Sequence, residues 1–150
     1  MALYIVPTGK VTLTETATKS LILVNPATVG IKLRQIDVAL GAGAVSEEVQ
    51  FDLYRVTELG SAAGAATTPQ LADERDGAAT STALTILTTE PTKVNVLASY
   101  LVQPLGGLFS LPFAFGAEVA SKLAGARIGL RYTTPASVKP SCVAQLWFEE

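Results

Sequence analysis

The chain has 150 residues, 49% hydrophobic and only 16% charged, with a net charge of −2 and no histidine. A charged share well under the usual ~25% leaves too little charge to coat a monomer and predicts that part of the surface meets other chains. The balance gives no reason to expect nucleic acid, which demands a basic face, and the missing histidine removes the commonest general base and a leading metal ligand.

The length fits one domain, able to bury roughly two-thirds of its unfolded surface. Its start, "MALYIVPTGK", has neither a basic leader nor a long apolar core, so it reads as the beginning of a soluble chain made in a cytoplasm rather than as a signal peptide. Strands are predicted at Val11–Glu15 and Lys19–Asn25, followed by a turn at "NPATVG". In "GIKLRQIDVAL", Ile31 and Leu33 set one phase, whereas Ile36, Val38 and Leu40 take the other. That flip around Arg34-Gln35 predicts a β-bulge or a strand bending from one sheet to another.

After the turn "GAGAVSEE", the segment "EVQFDLYRV" alternates, with Val49, Phe51 and Leu53 on one face and Gln50, Asp52 and Tyr54 on the other. Residues 60–81, "GSAAGAATTPQLADERDGAATS", are low in complexity and are predicted to form a long surface loop. Thr82–Thr88, Lys93–Gln103 and Leu108–Phe115 are further candidate strands, separated by "TTEPT" and "QPLGG". The apolar stretch "LGGLFSLPFAFGA" at 105–117 is too short to span a bilayer, which takes about 20 residues. Only "AEVASKLAG" at 117–125 is mildly helical.

Two more alternating strands close the chain, with the turn "TTPASVKP" between them. In "ARIGLRY", Ala126, Ile128, Leu130 and Tyr132 oppose Arg127 and Arg131; in "CVAQLWFEE", Cys142, Ala144, Leu146 and Phe148 oppose Val143, Gln145, Trp147 and Glu149. Many short strands with regular turn signals and almost no helix define an all-β, single-domain β-sandwich or jelly roll over residues 1–150.

Reactive constellations are scarce. Cys142 has no histidine to activate it and reads as a small buried residue. The glycines of "LGSAAGAATTP" precede no lysine and open no helix, so they do not build a phosphate loop. Glu47-Glu48 and Glu149-Glu150 are carboxylate pairs that glycosidase-type chemistry could use, and solvated strand ends account for both. The cluster Asp73, Glu74, Arg75, Asp76 lacks the alternating spacing and closing glutamate of a calcium loop. No catalytic, cofactor or metal site is expected.

Aromatic residues gather in the C-terminal half: Tyr100, Phe109, Phe113, Phe115, Trp147 and Phe148. Phe148 belongs to a core face, whereas Trp147 falls on the opposite face of its strand. Trp147 therefore serves a contact between chains, packing within the chain, or a sugar platform; indole is a favoured interface anchor. Trp147, Tyr100 and Phe113 are the candidate subunit or capsid contacts.

Three runs carry a resemblance: "DLYRVTELGSAAGAATTP", "TALTILTTEPTKVNVLASYLVQPLGGL" and "GARIGLRYTTPASVKPSCVAQLWFEE". Together with the start "MALYIVPTGKVTLTETATKSLILVNPAT", they resemble the head-decoration (cement) proteins of tailed bacteriophages over nearly the whole chain. The resemblance implies a β-sandwich or jelly-roll homotrimer without enzymatic activity or cofactor. It implies that the protein sits on the outer capsid surface of the virion, braces the major capsid protein, and has no nucleic-acid or membrane partner. Two other classes fit an apolar β-domain: a virion-surface carbohydrate-binding module and a tail structural protein.

Overall fold

A computed structural model describes residues 1–14, 18–41, 47–104, 106–121, 126–135 and 140–150. Its eleven strands are β1 (Leu3–Thr12), β2 (Thr18–Asn25), β3 (Lys32–Leu40), β4 (Val49–Glu58), β5 (Ala63–Thr67), β6 (Gln70–Leu71), β7 (Thr82–Thr89), β8 (Lys93–Val102), β9 (Leu108–Pro112), β10 (Ile128–Thr133) and β11 (Ser141–Glu149). They form two antiparallel sheets ordered β6-β1-β11-β3-β9 and β5-β7-β2-β10-β4-β8. Without β5, β6 and β7, the other eight interleave as β1-β11-β3-β9 facing β2-β10-β4-β8, the strand order of a jelly roll. The predicted β-sandwich is therefore what the chain builds.

The period-2 alternation does the work of placing the core. Val6, Leu33, Ile36, Val38, Leu146 and Phe148 from one sheet meet Ile22, Val24, Phe51, Leu53, Ile128 and Leu130 from the other, all fully buried. Phe148 stacks on Tyr4 with ring centroids 5.6 Å apart. Cys142 lies in this core, where burial pushes its thiol up to about 12 and leaves it inert.

The phase flip in β3 is a bulge. Phe148 pairs with Leu33 and Trp147 with Gln35, so Arg34 is the extra residue. This keeps Leu33 and Ile36 on the same inner face.

Several boundaries differ from the sequence reading. The first strand begins at Leu3, well before Val11, because Pro7-Thr8-Gly9 is not a turn that ends it. The register against β11 skips from Pro7 to Lys10, and Gly9 takes a positive φ of 69°, so these residues bulge within a continuing strand. β9 stops at Pro112, short of Phe115, in keeping with a residue that has no N–H to donate to a ladder. Residues 117–121 are not helical. They run beside the start of β3, with a bridge from Lys32 to Ala120 and bonds from Leu33 N to Val119 O and from Ser121 N to Ile31 O. The rest of that segment lies outside the described residues, as do Glu15, most of "GAGAVSEE", Leu105 of "QPLGG" and 136–139 of "TTPASVKP".

The largest correction concerns residues 60–81. This stretch is not a plain loop: β5 pairs with β7 and β6 with β1, adding a strand at the margin of each sheet. Its remaining turns are pinned. Tyr4 donates to the Gly77 carbonyl at 2.8 Å. The Glu150 carboxylate accepts from the Thr80 and Ser81 backbone N–H groups and from the Ser81 hydroxyl. Asp73 is clamped by Arg75 at 2.6 Å in an exposed turn.

Candidate interaction surface

Each sheet also has an outer face, and the two are finished differently. On the six-stranded sheet, Leu23, Tyr54, Val56 and Leu87 form a second buried cluster, covered by Leu59, Ala62, Leu84 and Val94. Tyr54 can lie there because Gly129 is its neighbour on β10: a Cβ at that position would sit 2.4 Å from Tyr54 Cζ. The Tyr54 hydroxyl bonds Ser20 Oγ at 2.6 Å, and the Arg131 guanidinium stands 5.7 Å from its ring centre. Burial pushes this phenol well above its ordinary range.

Beside it, Asp52 accepts from Gln50 at 2.8 Å, from Ser99 at 2.7 Å and from Arg131 Nε at 3.1 Å. Burial alone would raise its pKa. The donors outweigh that, and the carboxyl is held below the usual range. These polar groups fasten β4, β8 and β10 to one another.

The five-stranded sheet carries Trp147. The ring stands on the face opposite the buried Leu146 and Phe148 and is half-buried. Its Nε1–H donates to Asp37 Oδ2 at 2.9 Å, while Gln35 and Ser110 donate to Oδ1 at 2.8 and 2.6 Å. Along the same sheet, Arg34 bridges Glu118 and Glu149, and its guanidinium lies 5.4 Å from the centre of the Phe115 ring.

Tyr100 and Phe113 do not accompany Trp147. Both are half-buried and pack against the inner core. Tyr100 pairs with the inward-facing Phe51 and stacks on Phe109 of β9 at 5.6 Å, so it closes the gap between the sheets. Leu101 at 62% exposure, Leu108 at 67% and Phe115 at 87% reach solvent, together with Val96 and Leu97, as do Met1, Val29, Ile86 and Val143 elsewhere on the chain. The sequence held a signal for some of them. "VNVLASYLV" is apolar in both phases, which a strand with only one covered face does not need.

A concavity of about 590 Å³ is lined by Glu47, Glu48, Gln50, Leu101, Gln103, Thr133, Thr134 and Pro135. It brings together the amide and carboxylate groups that a sugar site uses. No aromatic ring is among these lining residues, and Trp147 belongs to the other sheet. Glu149 and Glu150 are engaged elsewhere, with Arg34 and with residues 80–81. Among the described residues no group of three or more histidine, cysteine, aspartate or glutamate side chains could hold a metal ion. No helix among them is long and apolar enough to cross a membrane.

A scan against protein-family models finds no match to the chain. A search of curated proteins finds none either.

Proposed function

We propose that the protein is a structural component of a tailed-bacteriophage virion: a capsid decoration protein that binds the outer shell as a homotrimer and braces the major capsid protein. The observation that carries this reading is the display of Leu101, Leu108 and Phe115 on a jelly roll whose core is already filled. A large apolar side chain left in water beside a complete core is what a contact surface looks like. The resemblance of the sequence to decoration proteins is the ground for proposing this partner and this site on the virion. In this role the chain needs rigidity and contact area, and no reactive group.

Imaging particles that carry the chain tests the reading. The expected result is density on the outer shell in groups of three, with a solution mass about three times 15.6 kDa. Density in the tail, or a monomer both in solution and on the particle, would overturn it.

A further inference from the structure

We infer that the concavity beside Arg55, at the end of β4, is a binding site for a carboxylate group. The site stands on its own residues and does not depend on the decoration reading.

Val49, Phe51 and Leu53 face the core along β4, and Arg55 continues their phase. Its neighbour across the ladder is Ile128, a fully buried residue of that core. The strand therefore carries a half-buried guanidinium to the place where the core ends. A charge in that position costs free energy unless hydrogen bonds and an opposite charge meet it. The fold meets it only in part. Nη2 donates to the Ala120 carbonyl at 2.8 Å, while Nε is buried with no acceptor.

The chain treats other arginines differently. Arg34 bonds Glu118 and Glu149, Arg75 bonds Asp73, and Arg131 bonds Asp52. Arg55 has no carboxylate partner among the described residues. A concavity of about 270 Å³ opens beside it, lined among the described residues by Arg55, Ala120, Ser121 and Ala126. None of these is acidic, and the sequence from Ser121 to Ala126, "SKLAGA", adds no carboxylate. A counter-ion has a place to sit there, and it must come from outside.

The donors select the kind of anion. Ser121 is buried, and its Oγ accepts from the Ile31 N–H at 3.3 Å, which leaves the hydroxyl hydrogen to donate. A guanidinium and one hydroxyl offer a single positive charge and a few donors. That matches a carboxylate, which has one negative charge and two oxygens. A phosphate group carries more charge and more acceptor oxygens, and would be left undersatisfied. Ala120 and Ala126 add small apolar walls, suited to a short aliphatic stem. The ligand is therefore a carboxylate on such a stem, carried by an acidic side chain of a partner protein or by a free small acid.

Propionate, which is the glutamate side chain in miniature, tests the site by titration into the whole chain, read by the arginine Nε–H resonances in NMR spectra. The Arg55 signal should shift and half-saturate on the order of 10 mM, while those of Arg34, Arg75 and Arg131 stay in place. Inorganic phosphate at the same ionic strength should bind more weakly. Propionate should also raise the melting temperature of wild type and leave that of Arg55→Gln unchanged, because only a ligand of the native site stabilises. Equal movement of all these arginine signals, a response without saturation, or tighter binding of phosphate would overturn the inference. The titrations use wild type alone, so they decide the matter even if Arg55→Gln does not fold. Binding to virus particles separates the two sources. A loss of about tenfold in Arg55→Gln places the carboxylate on a protein partner; unchanged particle binding, with the propionate response present in wild type, assigns it to a free acid. If the chain binds no particle, the decoration reading falls, and a saturable propionate response still supports the site.

Discussion

The two sides of the sandwich handle the same physical problem in opposite ways. Where β1 and β2 face each other, the chain continues outward through β5, β6 and β7. It buries Leu23 and Leu87 in the outer cluster with Ala62, and anchors the turns with Tyr4 and Glu150. Where β8 and β9 face each other, the chain adds nothing. One ring pair closes the gap, and Leu101 and Leu108 remain in water. A sandwich edge is a place where unpaired strands invite other chains. On one side the chain extends both sheets with further strands, and on the other it ends them at β8 and β9 with Leu101 and Leu108 in water, which is why that side is the place to look for assembly.

The same substitution on both sides breaks the comparison most sharply. Leu87→Ala, on the covered side, removes a side chain only 1% exposed and should cost about 2–4 kcal/mol in urea unfolding. Leu101→Ala, on the bare side, should change the stability of the monomer by less than about 0.5 kcal/mol and act on assembly instead. Equal costs at the two positions would erase the distinction.

A smaller effect sits within β7. This strand starts with Ala83 in the inner core and ends with Leu87 in the outer cluster. Between them Ile86 takes a φ of 50°, a conformation that β-branched residues avoid. That residue is where the strand changes face, so the covered side is built at a local cost. Ile86→Gly should remove the strain and raise stability by about 1 kcal/mol, read as a higher melting temperature. A lower melting temperature would mean that the isoleucine side chain, though 42% exposed, holds the turn in place.

The smallest effect depends on pH. Burial would raise the pKa of Glu150, but hydrogen bonds from Ser81 and Thr80 outweigh it and hold the folded value below the unfolded one. A carboxyl shifted in that direction stabilises the fold above the unfolded value, near pH 4, and loses the contribution as pH falls through the folded value. Glu150→Gln should therefore lower stability slightly at neutral pH and flatten its decline in acid. The covered side should loosen first, which limited proteolysis within residues 72–81 would detect.

Much of this arrangement was legible in the sequence, and the exceptions share a cause. Alternation located β4, β10 and β11, and the change of phase at Arg34 located a bulge, because each depends on which neighbours in sequence face the core. β5 was invisible: "AGAAT" has no alternation, and its strand is defined by pairing with β7. The Pro7-Thr8-Gly9 bulge carries the residues of a turn, and only the partner strand shows that β1 continues. Tyr54 was read onto the face of β4 opposite Val49, Phe51 and Leu53, which residues some distance along the chain then cover. Trp147 does stand opposite the core. Tyr100 and Phe113 are half-buried at the sheet margin and pack against the inner core.

Amide hydrogen exchange, compared between dilute and concentrated protein and resolved by strand, tests the central claim most directly. Assembly should protect β8 (Lys93–Val102) and β9 (Leu108–Pro112), while β5 and β6 exchange at the same rates in both samples. Protection that appears instead on β5 and β6, with β8 and β9 unchanged, would contradict it.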